Sequence, residues 1–202
     1  MELAHIFAFN LALLAALISP GPAMLVSIRS SLRGGFREGA LTGLGLAVAA
    51  SLWTLAALFG LDVVFTLFPW TYAALKTAGA AYLIYIAWMT WRHATDPLGN
   101  VTVPAGHAIR AGLLVNLSNP KSMLFAGAVL VVIFPADMSA LARFGVALNH
   151  VMIEVLAYGA LAYVISATGI AKPLLAAKAT LKRVTAVVLG GLGLRLLLDR
   201  TP

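Results

Sequence analysis

The stretch Ser19-Pro20-Gly21-Pro22 lies inside a long apolar run, residues 3–28, and divides it in two. Proline has no backbone N–H to donate, and its ring clashes with the carbonyl one turn back, so a helix cannot continue unchanged through this stretch. A segment apolar enough to cross a bilayer therefore carries a break. Because lipid cannot hydrogen-bond the backbone groups that a break frees, the sequence predicts that this one faces protein or a watery cavity.

A second break, Asn119-Pro120-Lys121, interrupts another apolar run, residues 111–134. Shortly after the breaks come Met24-Leu25 and Met123-Leu124, so the chain reads as two related halves. Each half holds three apolar runs with the break in its first run, and an odd number of spans inverts the second half. Paired broken helices in inverted repeats are typical of secondary transporters.

The composition indicates a membrane protein. Of the 202 residues, 61% are hydrophobic and 10% are charged, and the mean hydropathy is +0.96. Long apolar runs without alternation predict helices rather than a barrel. The basic residues responsible for the net charge of +7 cluster between the apolar runs, where they set the topology and contact anionic lipid. We therefore predict no nucleic-acid partner. The absence of cysteine excludes thiolate metal sites and disulfide exchange.

These patterns predict an all-α integral membrane fold with six transmembrane helices in two inverted three-helix repeats. We expect a single transporter domain over residues 1–202 with repeat one over about 1–92, a cytoplasmic linker over about 93–110 and repeat two over about 111–202. The predicted spans are 3–28, 39–61, 72–91, 111–134, 144–168 and 184–198.

The distribution of Lys and Arg predicts the orientation. Most of them follow spans one, three and five, so the positive-inside rule places those loops in the cytoplasm and both termini in the periplasm. Residues 1–5 contain no Lys or Arg, which a cleaved signal peptide would need, so we expect the first span to be retained.

A ladder of small residues opens span two. Gly35, Gly39, Gly43 and Ala47 are each four residues apart and therefore share one helix face. The ladder predicts that another helix approaches closely there.

The two breaks are the predicted substrate site, formed by Pro20, Gly21 and Pro22 together with Asn119, Pro120 and Lys121. Exposed N–H groups at the start of a half-helix attract an anion, and carbonyls freed at a helix end attract a cation. An amino acid carries both charges. The alternative is that the breaks are kinks that only fix helix packing.

His150 and Glu154 are the predicted proton-coupling pair. They are four residues apart, so they share a face of span five. Ionisable groups inside a span are costly and usually functional, and histidine exchanges its proton near neutral pH. The alternative is a structural polar pair that links two helices.

Five segments match a known family in order along nearly the whole chain, namely residues 19–24, 33–39, 75–83, 116–121 and 191–196. Together they resemble the LysE/RhtB family of bacterial amino-acid exporters. The resemblance implies a small inner-membrane protein that exports amino acids or their derivatives, driven by the proton gradient. It also implies that the family's proline-glycine-proline and asparagine-proline-lysine motifs fall on Pro20–Pro22 and Asn119–Lys121.

The sequence therefore predicts a secondary exporter, an antiporter of the bacterial inner membrane that works by alternating access. We expect no enzymatic activity, no cofactor and no metal; the expected partners are an amino acid, membrane lipid and, as an open possibility, further copies of the chain. Two other functions stay open. A divalent metal cation exporter would need more intramembrane carboxylates than Glu154 and Asp62 supply, and a non-transporting scaffold subunit would use the glycine ladder as an interface.

Overall fold

The computed structural model describes residues 3–67, 70–96, 107–135, 137–168 and 170–198. These residues contain no strand, which confirms the all-α prediction. The helices in the described part are α1 (Leu3–Ile18), α2 (Pro22–Leu67), α3 (Thr71–Arg92), α4 (Ala108–Leu117), α5 (Pro120–Ile133), α6 (Ala140–Thr168), α7 (Ala171–Ala176) and α8 (Lys178–Leu198).

Both predicted breaks are present. α1 ends at Ile18 and α2 begins at Pro22, while α4 ends at Leu117 and α5 begins at Pro120. Each proline opens a new helix, where its missing N–H would have had no helical partner. The prolines therefore end one helix and start the next rather than merely bending a continuous one.

The breaks also explain the lengths of the apolar helices. Within the described part, two stretches have the length and apolarity needed to cross a bilayer, Pro22–Gly60 and Ala140–Thr168, although the first of them contains the turn at Gly34–Gly35. Leu3–Ile18, Ala108–Leu117 and Lys121–Leu130 are apolar but shorter. With 16 and 10 residues, α1 and α4 extend only about 24 and about 15 Å, less than the hydrocarbon thickness of about 30 Å. Each needs the segment beyond its break to reach across.

α2 folds back on itself at Gly34–Gly35, the only non-helical residues inside it. A side chain at Gly39 would collide with Ser31, although a straight helix separates such residues by about 12 Å along its axis. The turn is tight because Gly35 adopts a φ of +68°, which favours glycine, and the Arg33–Glu38 ion pair closes it. The segment 29–38 between predicted spans one and two is therefore mostly helical, and only two residues join a first arm (22–33) to a second arm (36–67).

The second arm packs antiparallel on α6 through the glycine ladder. A Cβ on Gly39 would collide with Ala162, and one on Gly43 would collide with Tyr158. As the residue number rises along the second arm it falls along α6, so the two helices run in opposite directions. The close helix approach predicted from the small-residue spacing is confirmed at Gly39 and Gly43, whereas Gly35 lies in the turn, where a Cβ would meet nothing within 4 Å.

A second close crossing, between α2 and α4, was not predicted. A Cβ on Gly45 would collide with the carbonyl of Ile109, and a Cβ on Gly112 with the carbonyl of Thr42. The two backbones therefore touch, and neither position tolerates a side chain without a shift of the main chain.

α3 and α8 form another antiparallel pair. A Cβ on Gly190 would lie 3.3 Å from Ala87, and one on Gly193 would lie 2.9 Å from the carbonyl of Ala80. Each of these helices belongs to a different half of the chain.

The basic segments lie at one end of the molecule. Lys178 Nζ donates to the carbonyl of Asp96 over 2.9 Å, and Lys182 Nζ donates to the carbonyl of His93 over 3.0 Å, which joins the start of α8 to the end of α3. The Gly34–Gly35 turn lies at the same end, because the glycine ladder packs on the last turns of α6, which leads through α7 to α8.

The outer surface is strongly apolar. Large hydrophobic side chains are exposed along the helices, among them Phe7 (72%), Leu141 (83%), Leu156 (70%) and Leu198 (72%). Such a surface is unfavourable in water and suits a lipid environment. It supports the prediction of a membrane protein.

Candidate functional site

The two helix breaks and the His150–Glu154 pair border one cavity. It has a volume of about 490 Å³, counting the part that opens to the surface. The breaks contribute Ser19, Gly21, Asn119, Lys121 and Ser122, and α6 contributes His150, Glu154 and Tyr158. The remaining wall is mainly apolar, from α1, α2 and α5.

Lys121 connects the two breaks directly. Its Nζ donates to the carbonyl of Ala16 over 2.8 Å and to the carbonyl of Ser19 over 3.1 Å. The last carbonyls of a helix have no helical partner, and they form the negative end of the helix dipole. A cation from the second break thus occupies the carbonyl end of the helix that stops at the first break.

Asn119 and Asn116 hold the second break in shape. Asn119 caps α5, because its Oδ1 accepts a hydrogen bond from the backbone N–H of Lys121 at 3.1 Å. Asn116 is buried, accepts a hydrogen bond from the hydroxyl of Ser122, and donates from Nδ2 to the carbonyl of Leu46 over 2.6 Å. The break is therefore anchored to α2 as well as to α1.

His150 and Glu154 form a buried pair on α6. His150 Nε2 lies 3.3 Å from Glu154 Oε1, and His150 Nδ1 lies 2.7 Å from the hydroxyl of Thr54. A hydroxyl either donates to or accepts from a ring nitrogen, so the surroundings suit both the neutral and the protonated imidazole. In the described part of the chain, the other carboxylate oxygen of Glu154, Oε2, is buried without a hydrogen-bond partner.

The cavity brings together most of the predicted site residues. Gly21, Asn119, Lys121, His150 and Glu154 all line it. Pro20 is buried and Pro22 is exposed, and neither is among the lining residues. The side chain of Pro120 lies outside the described residues. At the level of the backbone, α1 ends before Pro20, while Pro22 and Pro120 begin α2 and α5.

Three further polar residues near the site were missed by the sequence reasoning. Tyr158 follows Glu154 by four residues, a spacing that could have placed it on the same face. Thr54 carries no such signal, because its partner His150 lies 96 residues away. Asn116 lies in the segment 116–121 that resembles the family, but its contact with the carbonyl of Leu46, 70 residues away, has no signal in the sequence. Away from the cavity, the guanidinium of the buried Arg143 lies 5.3 Å from the ring centroid of Phe59.

Comparison with known proteins agrees with the resemblance found in the sequence. A family model described as LysE type translocator matches residues 14–200. The chain is 32% identical over 130 residues to the uncharacterized membrane protein YahN of Escherichia coli K12, covering 62% of this chain and 58% of that one. It is 26% identical over 153 residues to the threonine efflux protein of the same strain, covering 72% and 73%.

A third relative is the homoserine/homoserine lactone efflux protein of Salmonella typhi, 31% identical over 127 residues, which are 61% of each chain. The aligned stretch thus spans less than two thirds of the first and third of these relatives. No solved structure matches the chain.

Proposed function

The chain belongs to the LysE type translocator family, and we propose that it is a secondary exporter of amino acids or amino-acid derivatives across the bacterial inner membrane. Family membership points to transport rather than enzymatic activity. The observation that carries the proposal is that both helix breaks and the buried His150–Glu154 pair line the same cavity. Proton-driven alternating access would then act on a site near the middle of the bilayer.

The names of two relatives guide the choice of substrates. One is a threonine efflux protein and another a homoserine and homoserine lactone efflux protein. Homoserine lactone retains the amine of homoserine but has no free carboxylate. We therefore take small primary amines of the amino-acid type as the substrate class.

The breaks supply charges that complement such a substrate. The first turns of α2 and α5 present N–H groups and the positive ends of helix dipoles, which favour a carboxylate. Lys121 adds an ammonium with a third N–H beyond the two it donates to Ala16 and Ser19. We place the substrate between Pro20–Pro22 and Asn119–Lys121.

His150 and Glu154 are the proposed proton-coupling residues. Their burial keeps bulk water from competing for the proton, and Thr54 offers a partner to either protonation state of the imidazole. Movement of the proton through this pair would link the gradient to the orientation of the cavity.

The arrangement of helices supports the proposal of two inverted repeats in one domain. The second arm of α2 packs antiparallel on α6, and α3 packs antiparallel on α8. Each pair takes one helix from repeat one (about 1–92) and one from repeat two (about 111–202), as inversion requires. The clustering of basic segments at one end supports a cytoplasmic location for that end and periplasmic termini.

Uptake into everted membrane vesicles tests the function. With an imposed pH gradient, vesicles that contain the protein should accumulate labelled threonine or homoserine, and a protonophore should abolish the accumulation. Glu154→Gln should reduce gradient-driven uptake to background. Glu38→Gln, which removes a carboxylate at the distant Gly34–Gly35 turn, is the matched control and should retain uptake. Absence of gradient-dependent accumulation of every amino acid tested, with protein in the membrane, would contradict the proposal.

A further inference from the structure

We propose that the ammonium group of the substrate and the coupling proton bind alternately to one atom, Glu154 Oε2. This inference rests on the proposed export function and adds the atom at which proton and substrate compete. Export would then be an exchange at a single carboxylate rather than a relay between separate sites.

The geometry of Glu154 carries the inference. The residue is 5% exposed and lines the cavity. Oε1 lies 3.3 Å from His150 Nε2, whereas Oε2 is buried and has no hydrogen-bond partner among the described residues. Leaving a buried carboxylate oxygen unpaired is costly, so such an atom on a residue that lines a cavity indicates a partner that comes and goes, which a small rotation of the Glu154 carboxylate would admit to Oε2.

The surroundings of Glu154 narrow the identity of that partner. The ionisable residues that face the cavity are His150 and Tyr158 on α6 and Lys121 on α5. The residues that α1 and α2 contribute are not ionisable: Leu13, Ala16, Leu17, Ala23, Met24 and Ala50. Lys121 donates instead to the carbonyls of Ala16 and Ser19. None of these side chains donates to Oε2 in the structure, and a proton or a cationic donor that enters from the cavity matches the charge of this oxygen.

The exchange balances in charge and atoms. In one state Glu154 is a neutral acid with its proton on Oε2. When the substrate ammonium arrives, the O–H bond breaks, the proton passes to water on the side to which the cavity is open, and the ammonium donates an N–H to the carboxylate. The two partners exclude each other, because a protonated Oε2 no longer offers the negative charge that an ammonium requires. One proton is exchanged for one substrate.

Proton release on binding tests the inference directly. Threonine is added to the purified full-length protein in weakly buffered detergent solution, and released protons are followed with a pH indicator over a pH series. The release should approach one proton per bound threonine at the acidic end and fall to zero at the alkaline end. Threonine methyl ester, which keeps the ammonium, should also release protons, whereas N-acetylthreonine, which lacks it, should not bind.

Variants of Glu154 test whether the released proton comes from its carboxylate. Glu154→Gln should weaken threonine binding by roughly tenfold to a hundredfold and abolish both proton release and the pH dependence of binding. Glu38→Gln is the control for loss of a carboxylate and should behave like the unchanged protein. If Glu154→Gln does not remain monodisperse, Glu154→Asp should keep proton release at weaker affinity.

Two results would overturn the shared atom while leaving export intact. One is gradient-driven accumulation of threonine with no proton release at any pH. The other is proton release that disappears in His150→Asn but persists in Glu154→Gln, which would place the proton on the imidazole. Failure of the export function is distinguishable, since it would show neither binding nor accumulation of any amino acid.

Discussion

Lys121 is the residue that makes the two breaks a single structure. Its ammonium reaches carbonyls that lie 105 and 102 residues earlier in the chain. Proline chemistry allowed both breaks to be predicted, because a missing N–H and a ring clash act locally, whatever the tertiary context. The hydrogen bonds from Lys121 that link the two breaks were not predictable, since every residue has a backbone carbonyl and the sequence does not show which ones accept. The same holds for Thr54, whose contact with His150 spans 96 residues.

Replacing Lys121 should destabilise the protein. Lys121→Met removes both hydrogen bonds and leaves the carbonyls of Ala16 and Ser19 without this partner, at a cost of roughly 1–3 kcal/mol. The thermal unfolding midpoint in detergent should fall accordingly. Lys178→Met is a matched control, because its ammonium also donates to a carbonyl, that of Asp96, but at an exposed position where water can replace it. Equal shifts for the two variants would contradict the role of Lys121.

At the scale of elements, the glycine contacts decide how the helices pack. The sequence spacing of Gly39 and Gly43 was enough to predict one close approach, because residues four apart share a face. Gly45 and Gly112 follow no such ladder, and their crossing depends on how α4 is oriented after a linker that carries no periodic signal. Helix lengths were also misjudged at Gly34–Gly35, where a turn of two residues replaces the interval between predicted spans one and two.

Alanine at a crossing glycine should destabilise the protein, although alanine is the better helix former. In Gly112→Ala the new Cβ collides with the backbone carbonyl of Thr42, and overpacking of this kind costs roughly 1–3 kcal/mol. Gly145→Ala is the control on α6, where a Cβ would meet nothing within 4 Å, so it should be neutral or stabilising by up to about 1 kcal/mol. Unfolding midpoints in detergent compare the two. A Gly112→Ala protein as stable as Gly145→Ala would show that the helices are not in backbone contact.

At the scale of the whole molecule, the clustering of basic residues at one end predicts how the protein is oriented in the membrane. The basic ends of α3 and α8 are bound to each other, and the Gly34–Gly35 turn lies beside them. The sequence predicted this distribution because basic residues resist translocation regardless of packing. It did not reveal that the three segments adjoin, since this depends on the antiparallel pairing of helices from different halves.

Labelling of single introduced cysteines tests the orientation. The chain contains no cysteine, so the label reports only on the introduced position. Thr95 lies at the basic end of the molecule, just after α3, and Ser139 lies at the opposite end, just before α6. Both positions are exposed, and each is replaced by cysteine in turn. In intact cells with a permeabilised outer membrane, an impermeant maleimide should label Ser139→Cys, and Thr95→Cys only after the inner membrane is opened. The reverse pattern would invert the proposed orientation, and equal labelling of both in intact cells would contradict their placement on opposite sides.

The antiparallel pairing of helices from different halves has a consequence for biogenesis. The second arm of α2 packs on α4 and α6, and α3 packs on α5 and α8. All of these partners are synthesised later, so the first half of the nascent chain leaves the ribosome with its small-residue faces still uncovered. Lipid or the insertion machinery covers those faces until the second half arrives, so the close packing of the first half is completed only late in translation.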